Sequence, residues 1–271
     1  MDSSASDHWS ALREYTSARI ALGRAGVATN TSVNLRFQLD HAKARDAVLQ
    51  ALDVNTLADD CATMLANSNG DQHKQLFPAM QLCSLAEDRH CYLQRPDLGR
   101  QLPETQWQAL AEHAATRAPI DVALIIGDGL SSVAISTHAA PVLAALTSGL
   151  AELGLQLGPL CIARQARVAL ADDIGEALGA KLTVILIGER PGLSSPDSLG
   201  LYITHSPKRG RSDAERNCIS NIRGAGMSYQ HAVNTALYLI RNALAKGYSG
   251  INLKDDSATL STDVIGVPFL K

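Results

Sequence analysis

Short apolar, β-rich runs at Asp121 to Ile126, Leu160 to Ala163, Leu182 to Ile187 and Gly200 to Thr204 alternate with amphipathic stretches. That alternation restricts the fold more than any other feature of the chain. The runs are too short for helices and read as strands. Between them, Pro141 to Leu153 places Val142, Leu143, Leu146, Leu150 and Leu153 on one helical face, and Val168 to Leu178 does the same with Leu170, Ile174, Ala177 and Leu178. A last helix is predicted from Tyr229 to Lys246, with Val233, Ala236, Leu237, Ile240 and Leu244 as its stripe. Gly154, Gly179 and Gly247 follow the three helices, where a left-handed closing residue costs least without a Cβ. The pattern predicts an α/β fold: a Rossmann-like, mostly parallel sheet with helices on both faces.

The first hundred residues have a different texture. Leu35, Leu39, Ala42, Val48 and Leu52 recur at roughly helical spacing with charges between them, and Val/Ile-rich runs are absent. The segment Asn67 to Gln75 is polar and turn-rich, and Pro96 and Pro103 punctuate the end of the region. The expectation is a smaller helical N-terminal domain over 1–112, with a boundary at about Ala111 to Pro119, followed by the Rossmann-like domain over 113–271.

Composition narrows the function classes. With 46% hydrophobic residues, the 271-residue chain has ample material for a core. A net charge of -3 offers no broad basic face, which argues against nucleic acid and anionic membranes as partners. No uninterrupted apolar run approaches the ~20 residues that cross a bilayer, and Met1 to Gly23 lacks the order of a secretory signal. Five scattered cysteines, none in a Cys-x-x-Cys pair, suit reduced thiols in a cytosol.

In a parallel sheet, ligands bind beyond the carboxyl ends of the strands. Three loops qualify and are expected to open on one edge: Gly127 to Ser132, Arg164 to Val168, and Gly188 to Ser195. The first is neither G-x-G-x-x-G nor a P-loop, so Gly127 and Gly129 read more simply as a tight strand-to-helix turn, and Ser131 and Ser132 as helix caps. Glu189, directly after an apolar strand, is either a hydrogen-bond acceptor for a ligand or a surface carboxylate beside Arg190. Val168 is either a cavity wall or core, and Cys218 either a ligand contact or an inert small hydrophobe. The eight histidines form no zinc spacing, His205 and His231 stand alone, and no G-x-S-x-G elbow offers a serine nucleophile.

The segments Tyr92 to Arg100 (YLQRPDLGR), Asp128 to Ser131 (DGLS), Gly188 to Leu193 (GERPGL) and Asn217 to Ile222 (NCISNI), with Gly23 to Gly26, Leu35 to Phe37 and Ser249 to Asn252, resemble in order and spacing the small subunit of ethanolamine ammonia-lyase. The resemblance spans roughly residues 10 to 255; it is less clear between Asp53 and Leu85, and the tail after Lys254 has no counterpart. It implies a carbon–nitrogen lyase subunit that packs on a larger, barrel-shaped catalytic subunit in a hetero-oligomer, with adenosylcobalamin between the two. The substrate-binding and catalytic residues would lie on the large subunit, and the small subunit would face the lower side of the cofactor. The family's cobalamin-contacting positions fall here on Val168, Glu189 and Cys218.

The nearest string to the D-x-H-x-x-G pattern is Asp71 to Leu76, which lacks the glycine. The resemblance therefore implies a base-on cofactor, with benzimidazole kept on cobalt. It also implies a bacterial cytoplasmic location, with the ethanolamine-utilisation microcompartment as the alternative; few residues precede Gly23 to serve as a targeting segment.

Overall fold

A computed structural model describes residues 10–256, apart from 17, 26 and 69–74. The N-terminal segment up to residue 9, Gly26, the Asp71–His73 string and the tail beyond residue 256 lie outside the described residues. A two-stranded ladder, β1 (Arg24–Ala25) with β2 (Ala28–Thr29), precedes helices α1 (Thr31–Leu49) and α2 (Val54–Ser68). Then come β3 (Met80–Cys83), α3 (Arg89–Gln94), α4 (Glu104–Ala115), β4 (Val122–Gly127), α5 (Ser132–Glu152), β5 (Cys161–Arg164), α6 (Leu170–Ala177), β6 (Leu182–Gly188), β7 (Leu199–His205), β8 (Arg216–Ile222) and α7 (Tyr229–Lys246).

Six strands form one sheet in the order β3-β5-β4-β6-β7-β8. The ladders from β3 to β6 are parallel, whereas β6 with β7 and β7 with β8 are antiparallel. The sheet is thus mixed rather than mostly parallel. A parallel partner needs a crossover, usually a helix. Only residues 189–198 separate β6 from β7, and only a short 3-10 turn interrupts 206–215, so the chain doubles back each time. The four strands read from the sequence are all present. The strands β3 and β8 were not expected: Met80–Cys83 lacks a β-branched run, and Arg216–Ile222 carries Arg, Asn, Cys and Ser among its apolar residues.

Strand parity divides the core. Leu124, Leu186 and Leu201 point to one face, where Ile135, Leu143 and Leu146 of α5, Ile240 of α7 and Leu57 and Leu65 of α2 cover them. Ile125, Ile185 and Ala163 point to the other, under Leu110 of α4 and Ile174 of α6. Every residue of β4 and β6 is buried, as expected of strands covered on both sides. By contrast, β8 buries Arg216, Ile219 and Ile222 while Cys218, Ser220 and Asn221 are exposed. On that second face α6 reaches the start of β8, where Asp172 pairs with Arg216, and Cys218 further along stays exposed.

Helix α5 begins nine residues before Pro141, the expected start. Ser131 caps it, its hydroxyl accepting from the Ala134 amide, and Pro141 sits inside. The buried run Ala139, Ala140, Val142, Leu143 outweighs the backbone hydrogen bond that proline omits. By length and composition α5 could cross a membrane, yet most of it is buried within the fold. Helix α7 has the predicted bounds, and Gly154, Gly179 and Gly247 all take positive φ. Helix α1 forms where expected, but Leu35 and Leu39 are 59% and 54% exposed, and Ala47 is its buried residue. All five cysteines are unpaired.

The carboxyl edge of the parallel strands is locked by two close contacts. The buried carboxylate of Asp128 accepts the Gln165 amide at Oδ2 and the Ala166 amide at Oδ1, both at 2.9 Å, tying the loop after β4 to the loop after β5. Burial pushes its carboxyl above the usual range, with these amides and Arg89, 3.5 Å away, opposing that rise. On the other side Leu130 N donates to Gly188 O at 2.9 Å. At Gly129, where φ is +57, a Cβ would lie 2.2 Å from Gly188 O, and a Cβ on Gly188 would lie 2.0 Å from Ser131 O. Gly129→Ala should therefore destabilise the chain by roughly 3 kcal/mol in urea denaturation, overpacking and positive φ acting together. Asp128→Asn should cost about 3 kcal/mol in the same measurement, because an amide group can accept only one of the two backbone donors and leaves Arg89 without its anion.

Candidate functional site

The three loops after β4, β5 and β6 do open on one edge, since those strands run parallel. A cleft of about 380 Å³ lies there, and its walls include Gly129 and Leu130 from the first loop, Arg167 and Val168 from the second, and Glu189 and Arg190 from the third. Tyr92 and Tyr202 complete it. A second hollow of about 270 Å³ shares Arg167, Val168 and Tyr202 and adds Arg100 and Asp213. The two hollows adjoin along Arg167, Val168 and Tyr202.

Glu189 is held by one oxygen only. Its Oε2 accepts from the Ser198 hydroxyl and from the Asn221 amide at 3.1 Å. No hydrogen bond reaches Oε1 among the described residues. The carboxylate lies over Gly200, where a Cβ would come within 3.1 Å of Oε1. A bulge in β8 makes the Asn221 contact: Leu201 pairs with Ile219 but Leu199 with Ile222, so β8 carries an extra residue, and Asn221 adopts φ +59. Glu189 is thus an oriented acceptor, rather than a free surface carboxylate paired with Arg190.

Val168 is half-buried, packing against the core beneath α6 while lining the cleft. Cys218 does not line the cleft itself. It is the register partner of Tyr202 on the neighbouring strand β7. Burial pushes the Cys218 thiol up, the Tyr202 contact opposes this, and the Glu189 charge adds to the rise. Tyr202 is the residue that joins the set, and the sequence reading passed over it. Its signal was parity: in β7, Leu199, Leu201 and Ile203 are apolar core, while Gly200 and Tyr202 fall on the alternate face.

The opposite end of the cleft is stiffened by the YLQRPDLGR segment. Tyr92 is buried, its hydroxyl donates to Ala166 O at 2.9 Å, and its ring lies between the guanidinium groups of Arg89 and Arg167, 4.7 and 4.2 Å from the ring centre. A phosphate-binding role for the Gly127–Gly129 turn is disfavoured, because Asp128 places a carboxylate there and the Leu130, Gln165 and Ala166 amides already have acceptors.

Comparison with known proteins agrees with this architecture of motifs. The family model described as ethanolamine ammonia-lyase light chain (EutC) matches residues 6–254. The chain is 50% identical over 248 residues to the ethanolamine ammonia-lyase small subunit of Ralstonia nicotianae, covering 91% of this chain and 88% of that protein. It is 48% identical over 263 residues to the small subunit from Pseudomonas aeruginosa, covering 97% and 92%. Against the Pseudomonas fluorescens small subunit it is 48% identical over 256 residues, with 94% and 89% covered. Matches of this extent, carrying the loops that build the cleft, show that the chain belongs to the ethanolamine ammonia-lyase light chain family.

Proposed function

We propose that this chain forms one wall of an adenosylcobalamin site at the junction with the large subunit of a bacterial ethanolamine ammonia-lyase, which converts ethanolamine to acetaldehyde and ammonia. The observation that carries the reading is the half-engaged carboxylate of Glu189, fixed by Ser198 and Asn221 with its second oxygen unpartnered beside an open cleft. The rim of a corrin bears amide side chains, which are donors to such an oxygen. Val168 would supply an apolar contact, and the Tyr202–Cys218 pair a neutral surface on which a corrin edge can rest.

The fit is partial by size, and that supports a shared site. A cleft of about 380 Å³ is at the small end for ligand pockets and smaller than a corrinoid with its nucleotide arm, so the remaining walls would come from the large subunit. The cofactor supplies radical chemistry through its cobalt–carbon bond. This chain's own groups would orient it and exclude water: Glu189 by accepting a hydrogen bond, Gly200 by leaving room for that carboxylate to lie flat, and Val168 and Tyr202 by covering apolar surface. In this chain the cleft presents no general base paired with a nucleophile, so the substrate-handling groups would belong to the partner.

The lone chain should show no turnover and should restore ethanolamine deamination when mixed with its large subunit. Glu189→Ala should leave that assembly intact by gel filtration yet weaken cobalamin binding about tenfold, the value of one hydrogen bond to a charged group. Gly200→Ala, which crowds Oε1, should weaken it several-fold. Unchanged affinity in both variants, read by visible absorbance titration of the assembled enzyme, would remove Glu189 from the site.

A further inference from the structure

Outside the cleft, a polar relay centred on a buried histidine connects two helices to the turn that carries Ser198. His138 on α5 is 4% exposed, with Nδ1 2.7 Å from Tyr229 Oη on α7 and Nε2 3.4 Å from Asp197 Oδ2. A carboxylate only accepts, so Nε2 donates toward Asp197, while Nδ1 shares a hydrogen bond with the Tyr229 hydroxyl. Both nitrogens of the buried imidazole thereby have a partner.

The three residues of the turn are held one after another. Pro196 O accepts from Ser131 Oγ at 2.7 Å, Asp197 meets His138, and Ser198 binds Glu189 twice. Of those two bonds, Ser198 O accepts the Glu189 amide at 2.9 Å, and its hydroxyl donates to Oε2. A turn of this kind, joining antiparallel strands without a helix, has no core of its own to fix it. The contacts of Pro196 and Asp197 therefore bear on the segment that presents the Ser198 hydroxyl to Glu189.

We infer that His138 is a positioning residue for Glu189: the Tyr229–His138–Asp197 relay sets the 196–198 turn, and through Ser198 the direction of the unpartnered carboxylate oxygen. Its effect on cofactor affinity rests on the reading of Glu189 given above; the effect on the carboxylate does not.

The test uses Asp197→Ala, alone and combined with Glu189→Ala, in the complex with the large subunit and in the full-length chain. Cyanocobalamin affinity of the complex is read by visible titration. Exchange of the Asn221 amide, which donates to Glu189 Oε2, is read by hydrogen–deuterium exchange of the full-length chain. Asp197→Ala should weaken cyanocobalamin binding about fivefold beside wild-type Glu189, and leave it unchanged within about 1.5-fold in the Glu189→Ala background, the non-additivity of coupled residues. Asn221 exchange should rise about tenfold as its acceptor wanders. Asp197→Asn, which keeps an acceptor for Nε2–H, should restore both. Tyr229→Phe removes the hydroxyl at the far end of the relay and serves in place of Asp197→Ala if that variant does not fold. Equal weakening in both backgrounds, or unaltered Asn221 exchange, overturns the inference. If Glu189→Ala itself leaves cyanocobalamin affinity unaltered, the cofactor reading fails and Asn221 exchange alone decides the positioning role.

Discussion

The carboxyl edge of the sheet depends on a buried anion used as structural cement. Asp128 accepts two amides from the next strand's loop while Gly129 and Gly188 let the backbones of the β4 and β6 loops touch. Burying a carboxylate is costly unless its lone pairs are filled, and here amides and a guanidinium fill them. In return three loops that would otherwise move independently become one rigid rim. The cleft, the Glu189 carboxylate and the Tyr92 stack all inherit their geometry from that rim.

The antiparallel end of the sheet gives the site its character. A fully parallel sheet would have a crossover helix over every strand, and the face around Tyr202 and Cys218 would be sealed by this chain's own side chains. Because β6, β7 and β8 are joined by turns, the second face ends at α6 and leaves a shallow wall. A wall binds little by itself. It is suited to a ligand held between two proteins, which agrees with a light chain that functions beside a larger subunit. The Arg216–Asp172 pair, buried beneath the second hollow with contacts of 2.6 and 2.7 Å, keeps a charged residue of β8 from disturbing this end of the sheet. Burial pushes the Asp172 carboxyl up to about 6, with Arg216 holding it down.

Much of this was legible because the relevant signals are local. Apolar runs flanked by glycine-closed helices marked β4, β5, β6, β7 and α7, and the Ser131 cap and the Gly129 turn followed from the residues that such turns require. Three other features are not local. The four residues of β3 take their strand conformation from lying beside β5. The polar strand β8 alternates only after its bulge is counted. The apolar residues of α1 follow a helical stripe, yet whether a stripe meets a core depends on what lies opposite, and Leu35 and Leu39 meet none among the described residues.

The same division holds for the site. Sequence alone determined which loops share an edge, because strand direction and connection length follow from the order of elements, and resemblance to a family singled out Val168 and Glu189 within them and Cys218 on β8. Only the tertiary structure decided that Glu189 has one oxygen tied and one unpartnered among the described residues, that Tyr202 and Cys218 lie side by side on neighbouring strands, and that His138 reaches the same turn from a different layer. Hydrogen bonds between residues far apart in the chain depend on sheet register and helix packing to within a fraction of an ångström, and no periodicity in the sequence encodes that distance.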